Sequence, residues 1–288
     1  MFINDSSAFN FEALKSISAD VEVSANNVTN SGSISVNITD VFEMTDLTGL
    51  VAYYPLNGNV NDLVGGEQGI TNGTENSVNQ FEIENQALDF INDGSFIDIG
   101  NKNFFVGNNN SFSISIWINP RSFTTANGIN RAIISKLSQQ TSTFGCNEFH
   151  QEFLLDLTST GAVRVIYYEE DGTGNDRPFR WVNSQELIET NEWSHLYISY
   201  NGTLNTNNGK DRVRILINGL ESSTNIIQLA GDVPQEIVDT DSHLGIGNML
   251  SSNGNVCIEK SFDGLMDEVA FFSRELSSSE IQSILNLN

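Results

Sequence analysis

Asp267 lies in the segment LMDEVAFF, where strand alternation puts it on one face with Leu265, Val269 and Phe271. A lone carboxylate among apolar side chains must neutralise, accept amide donors or meet a cation. Calcium suits it, because the ion takes roughly six to eight oxygens from carboxylates, carbonyls and water. The turn NGNVNDLVGG at 57–66 is a second oxygen source: Asp62 is its one carboxylate, and Asn59, Asn61 and Gly65 offer further oxygens. The expected metal set is therefore Asp62, Asp267, Asn59 and Gly65, in a site that braces the fold. Alternatively, Asp267 accepts only backbone amides and Asp62 is a turn residue.

A different chemistry is available at 171–185, DGTGNDRPFRWVNSQ, a polar stretch bearing Trp181, Phe179, Arg177 and Arg180. The strand before it carries Tyr167 and Tyr168. Sugar rings have apolar faces that stack on aromatic rings, while guanidinium and amide groups bond their hydroxyls. The expected ligand surface is a loop rim carrying these six side chains together with His150. The competing reading tucks Trp181 and Phe179 beneath their own loop as a satellite core. Cys146 and Cys257 each sit in a Gly/Asn-rich loop, and two cysteines in an export-like chain suggest one disulfide tying that rim. Closing a loop of about 110 residues would be worth on the order of 3–5 kcal/mol. Two unrelated buried thiols are the other possibility.

Catalytic patterns are weak. A retaining glycosidase needs two carboxylates about 5 Å apart, as an ExDxxE strand would supply, and no such pattern is present. Glu169 and Asp171 have the spacing but stand at a strand end entering a glycine-bearing loop. His195 and Tyr197 share a strand face, which Arg164 or Tyr167 could extend into a lyase-like set. GxSxG, P-loop, HExxH and CxxC motifs are missing. The expectation is a protein that is not an enzyme.

These residues must be positioned by strands. In FSISIWIN (112–119), Phe112, Ile114, Ile116 and Ile118 share one face, while Ser113, Ser115 and Trp117 share the other. VRILIN (213–218) repeats the pattern and runs into Asn218-Gly219, a favourable hairpin turn. Further short strands are expected at 50–54, 87–91, 95–99, 132–137, 152–157, 162–168, 194–200, 243–247 and 265–272. One short helix is expected near the C-terminus, where Ser277 and Glu280 form a capping box and Leu276 and Ile281 a hydrophobic staple. Many strands with Gly/Asn turns mean a two-sheet antiparallel sandwich. A composition shift near 44–50 separates a small β segment, 1–45, from the main domain, 46–288.

The formal charge of the 288 residues is −24, which argues against nucleic-acid partners and anionic membrane surfaces. No apolar run is long enough to insert in a membrane. The start, MFINDSSAF, shows no charged n-region or apolar h-region, which fits a piece excised from a longer exported protein.

Seven segments stand in the order of a known family: GLVAYYPLNGNVNDLVGG (49–66), ALDFINDGSFIDIG (87–100), FSISIWINP (112–120), AIISK (132–136), EWSHLYISYNG (192–202), RILINGL (214–220) and FDGLMDEVAFFSRELSSSEIQSIL (262–285). Residues from 49 onward resemble the laminin-G-like, concanavalin-A-like jelly-roll family. That resemblance implies two stacked antiparallel sheets, often a structural calcium between the two segments named above, and a carbohydrate-binding or adhesive role. It also makes Trp117, Trp193 and His195 structural. FNFEALKSISADVEVSAN and SISVNITDVFE, within 9–43, resemble the last part of a cadherin-like repeat, with Glu12, Asp40 and Glu43 as its calcium ligands. The expected function is a calcium-stabilised extracellular module that binds carbohydrate at a loop rim. The alternatives are a protein–protein adhesion module for a cell-surface partner or a structural spacer, and behind them a polysaccharide lyase or glycosidase.

Overall fold

The computed structural model describes residues 16–26, 28–37, 43–91, 93–105, 110–138, 150–168, 179–205, 210–228, 233, 237, 239–258 and 260–287. The chain forms two compact units, Met1–Asp46 and Leu47–Asn286. In the first, β1 (Ser16–Ala25) and β2 (Val28–Asn37) pair antiparallel along their whole length. Asn26 opens the connection at φ +52°, a conformation asparagine tolerates. The register places Val21, Val23, Val28 and Ile34 on one face, all exposed, and Asp20, Glu22, Ser31 and Ser33 on the other. Of the three residues expected to bind calcium there, Glu12 and Asp40 lie outside the described residues. Glu43 is exposed, and its backbone N–H donates to Asp46.

The second unit is all-β with one short helix. Its strands are β3 (Leu50–Tyr54), β4 (Ile70–Asn72), β5 (Thr74–Ser77), β6 (Ala87–Phe90), β7 (Phe96–Asp98) and β8 (Ser111–Pro120). They continue as β9 (Ala132–Ser138), β10 (His150–Leu157), β11 (Ala162–Tyr168), β12 (Phe179–Leu187), β13 (Ser194–Asn201) and β14 (Val213–Ile217). The last are β15 (Leu220–Glu221), β16 (Thr224–Gln228), β17 (Gly245–Ile246), β18 (Met249–Leu250), β19 (Val256–Ile258) and β20 (Gly264–Phe272), before helix α1 (Ser278–Leu285). One sheet has the order β16-β12-β11-β10-β9-β17-β7-β4. The other has the order β15-β14-β13-β8-β20-β6-β5, with β3 also on β20. Their pairings are antiparallel, as the alternating sequence pattern requires. The expected turn closes β14 onto β15, with Asn218 at φ +51° and Gly219 at φ +75°.

The core lies between the sheets. Phe112, Ile114, Ile116 and Ile118 of β8 enter it, with Leu196 and Ile198 of β13 and Phe153, Leu155, Val163 and Val165 of β10 and β11. The opposite face of β8 is also sheltered. Ser113 donates to the carbonyl of Arg274, and the Tyr197 hydroxyl accepts the N–H of Leu276. This ties the segment leading into α1 to the sheet. The helix is capped as expected: Ser277 accepts from the N–H of Glu280, whose carboxylate accepts the N–H of Ser277 and pairs with Arg274.

His195 illustrates the sheltered face. It stands opposite Trp117, is fully buried, and shares a 2.8 Å hydrogen bond between Nε2 and Ser115. Burial pushes its pKa down to about 3, so the imidazole is neutral inside the fold. A depressed histidine pKa adds stability above the unfolded value of about 6.5 and withdraws it as pH falls towards 3. At pH 5 this amounts to about 2 kcal/mol. We predict a matching loss of urea stability between pH 7 and pH 5, flattened in His195→Gln. An equal slope in that variant would show that other groups set it.

Candidate functional site

The site is built from alternation on β10, β11 and β12. Val163, Val165 and Tyr167 point into the core, so Arg164 and Ile166 point outward. Likewise Phe153 and Leu155 are inside and Leu154 and Asp156 outside, while Val182 is inside and Trp181 and Asn183 outside. Register then aligns two rows across the outer face. Trp181 stands opposite Ile166, which stands opposite Leu154. Asn183 stands opposite Arg164, which stands opposite Asp156. The first row is apolar, and Trp181 packs there against the cluster of Ala132, Leu154, Ile166 and Met249, itself half-buried with its Nε1 shut from solvent.

The second row is polar and tightly held. Arg164 forks onto Asp156, Nε to Oδ1 at 2.7 Å and Nη2 to Oδ2 at 2.6 Å. Its guanidinium carbon also lies 5.1 Å from the centre of the Trp181 ring, within cation–π range. Lys260 arrives from the segment after β19, held by its backbone: its N–H donates to Asn248 and its carbonyl accepts the N–H of Ala132. The Lys260 ammonium stands 3.6 Å from Oδ2 of Asp156. Asp156 is fully buried, whereas the Arg164 and Lys260 side chains are 14% and 15% exposed. Burial lowers the pKa of Lys260, and the charge of Arg164 adds to that, against the pull of Asp156. Oδ1 of Asn183 is buried with no hydrogen-bond partner. The face thus offers an aromatic surface, a buried acceptor, and two cations sharing one carboxylate.

Several expectations need correction. The stretch 171–185 is not one loop, because its second half begins β12, paired with β11 and β16; Trp181 is therefore a sheet residue. Tyr167 is fully buried against Phe153 and Tyr200, because strand alternation sends it inward, and it cannot line a surface site. Phe179 and Arg180 belong to β12, Tyr168 to β11 and His150 to β10. Arg177 and Cys146 lie outside the described residues, so the pairing of Cys146 with Cys257 does too. The ligand surface expected from the sequence did not contain Asp156, Asn183 or Lys260, and Arg164 figured only as part of a lyase-like set.

The residues expected to bind calcium are placed as follows. Asp62 is buried, and its Oδ1 accepts the N–H groups of Tyr53 and Val64 at 3.0 and 2.9 Å. Gly65 lies so close that an added Cβ would come 2.5 Å from the other Asp62 oxygen. Asn59 accepts the N–H of Asn61 within the turn. Asp267 does not share a face with Val269 and Phe271. A bulge follows it, with Glu268 at φ +53°, which sends Met266, Val269 and Phe271 inward and leaves Asp267 opposite Trp117. Oδ1 of Asp267 accepts the N–H of Glu268, and Oδ2 is buried with no partner. Burial, reinforced by Glu268, pushes this carboxyl up to about 9. Tyr53 bridges the two segments, its N–H on Asp62 and its hydroxyl on Glu268. Among the described residues no three of His, Cys, Asp and Glu converge as a metal cluster.

A groove of about 590 Å³ lies elsewhere, lined by Gln185, Asp211, Arg214, Glu221, Ser222 and Thr224 among others. It has no aromatic wall, and Arg214 is paired with Glu221.

Comparison with known proteins agrees with this architecture. The model of the family described as the concanavalin A-like lectin/glucanases superfamily matches residues 92–282. No curated protein matches the chain. Among solved structures, the ligand-binding domain of botulinum neurotoxin serotype D, in complex with N-acetylneuraminic acid, is 16% identical with a TM-score of 0.50. That match covers 82% of this chain and 50% of the other. Domain 4 of AbnA, a GH43 extracellular arabinanase from Geobacillus stearothermophilus in complex with arabinotriose, is 17% identical with a TM-score of 0.49. It covers 83% of this chain and 98% of that one. At such identities the likeness concerns the fold.

Removing Asp156 would leave Arg164 and Lys260 mutually repelling in a mostly buried setting. We predict that Asp156→Ala lowers the unfolding free energy by about 3 kcal/mol, the low end for breaking a buried pair. Urea denaturation checks it, and an unchanged midpoint would show that the fork contributes only orientation.

Proposed function

We propose that this chain, which belongs to the concanavalin A-like lectin/glucanases superfamily, is a non-catalytic module that binds carbohydrate on the outer face of its β10–β11–β12 sheet. One observation carries the reading: Trp181 is held partly exposed on a rigid sheet, directly beside the polar row Asn183, Arg164 and Asp156. A sugar ring can lay its apolar face on the indole. Its hydroxyls can then meet the part of the Arg164 side chain, 14% exposed, that reaches solvent. Placement on strands favours this, because the two rows are fixed by ladder register rather than by loop order. The solved neighbours named above carry a sialic acid and an arabinotriose, which supports sugar as the ligand class.

We read this face as non-catalytic because its row lacks the carboxyl pair of a glycosidase. Asp156 is the one carboxylate of the row, and both its oxygens are engaged by Arg164. Glycoside hydrolysis uses two carboxyl groups, one of them free to give a proton. We also hold the module to be extracellular, as part of a larger surface protein whose preceding unit is the end of a cadherin-like repeat.

Trp181→Ala should weaken binding of any glycan hit at least tenfold, about 1.4 kcal/mol, while circular dichroism stays unchanged. A glycan array of wild type and variant checks this. Hits that survive the substitution would move the site elsewhere. A blank array from folded protein would turn the reading towards adhesion or a spacer role.

Calcium belongs to the same proposal. The orphaned Oδ2 of Asp267 is the feature that asks for a cation, and calcium there would brace β20 against the 57–66 turn. Chelator should lower the melting temperature by several degrees, and Asp267→Asn should abolish that difference. A melting point indifferent to chelator, with no calcium by elemental analysis, would remove calcium from the account.

A further inference from the structure

The charge of the outer face is unbalanced. Arg164 and Lys260 converge on a single carboxylate, leaving one surplus positive charge in a chain whose formal charge is −24. The surplus sits on Lys260. Asp156 gives both its oxygens to the Arg164 fork at hydrogen-bond distance, while Lys260 stands farther off at 3.6 Å. That is the one ionic partner of Lys260 among the described residues, and its side chain is only 15% exposed. The next acid on the strand of Asp156, Glu152, is four residues from Asp156, about 13 Å along the strand, and is engaged by Lys136. Among the described residues no second carboxylate balances that surplus.

We infer that the sheet-face site takes an anionic saccharide, a sugar chain carrying carboxylate groups, with Lys260 as its ionic contact. This rests on the carbohydrate reading above and narrows it to a ligand class. A neutral sugar would leave the mostly desolvated ammonium as it is. A sugar carboxylate placed on Lys260 supplies the missing negative charge, and charge-assisted hydrogen bonds are about twice as strong as neutral ones. The other contacts suit the rest of the sugar. Trp181 takes an apolar ring face, with Asn183 beside it on the same face of β12. Asn183, Arg164 and Asp156 lie on three adjacent strands, spanning about 10 Å, with Lys260 beyond. This is the length of an oligosaccharide rather than of one sugar.

The experiment pairs charged and neutral versions of the same sugars. Oligogalacturonides and sialyllactose are each compared with their methyl esters, by calorimetry on the full chain. The carboxylated member of at least one pair should bind at least tenfold tighter than its neutral partner. Lys260→Gln should erase that preference and Lys260→Arg should retain it, with melting curves confirming that both fold. The ester comparison needs no variant, so it stands even if Lys260→Gln is unstable. Equal affinity for charged and neutral partners, still lost in Trp181→Ala, would overturn the ionic contact and leave carbohydrate binding intact. Preference for sulfated over carboxylated sugars on the array, lost in Lys260→Gln, would keep the cation and overturn the carboxylate. No binding of any sugar by folded protein would sink both readings.

Discussion

The rings packed between the two sheets decide what the rest of the molecule can do. Phe105 stacks on Phe153 at 4.5 Å, Phe112 on Tyr200 at 5.4 Å, and Tyr167 meets Tyr200 at 5.3 Å. Each ring removed from water is worth about 2–3 kcal/mol. Many such rings meet in one layer between the sheets, so the core sets the register and the outer face inherits it. Because side chains alternate with period two, a one-residue slip would exchange the faces. With Phe153 and Tyr167 committed inward, Leu154, Asp156, Arg164 and Ile166 are committed outward. The two rows of the candidate site are a by-product of packing on the other side of the same strands.

Two buried ion pairs show how burial separates structure from recognition. Lys136 and Glu152 lie 2.8 Å apart, and both are fully shut from solvent. Glu152 also accepts the N–H of Thr240, yet burial still outweighs Lys136 and pushes its carboxyl up to about 7. Desolvating each ion costs several kcal/mol, so a pair sealed on both sides is there to hold positions. The pair at the site is asymmetric. Asp156 is sealed, while the cations that face it keep a share of solvent. An incoming group meets the positive side of that pair and not the negative side.

Much of the fold was legible because core strands advertise themselves. FSISIWIN and VRILIN alternate without interruption, and the turn at Asn218-Gly219 needs two positive φ angles that Asn and Gly adopt readily. β12 was not legible for the converse reason. FRWVNSQEL follows a proline and mixes charged and polar residues on both faces, and what makes it a strand is the pairing with β11 and β16, a non-local fact. The bulge at Glu268 was equally hidden, and it reversed the face of Asp267. Trp181 could be found because a tryptophan in a polar stretch stands out. Asp156 in FLLDL and Arg164 in AVRVIYY carried a signal that could have been read: a charged residue interrupts an apolar strand on each. Nothing local to Lys260 marks it, since its place is set by how the segment after β19 crosses Ala132.

The site's positive character and the chain's negative total act at different ranges. The 37 acids are spread along the whole sequence, and beyond about 8 Å their field is screened at physiological salt. On the proposed reading a ligand would meet Arg164 and Lys260 at contact distance and the net −24 from afar. A polyanion as dense as nucleic acid, with a charge every ~1.7 Å of duplex, cannot place one group on Lys260 without bringing many others against the acidic surroundings. A sugar chain whose carboxylates are spaced by whole rings can. On the proposed reading this contrast of ranges favours sparse anions over dense ones.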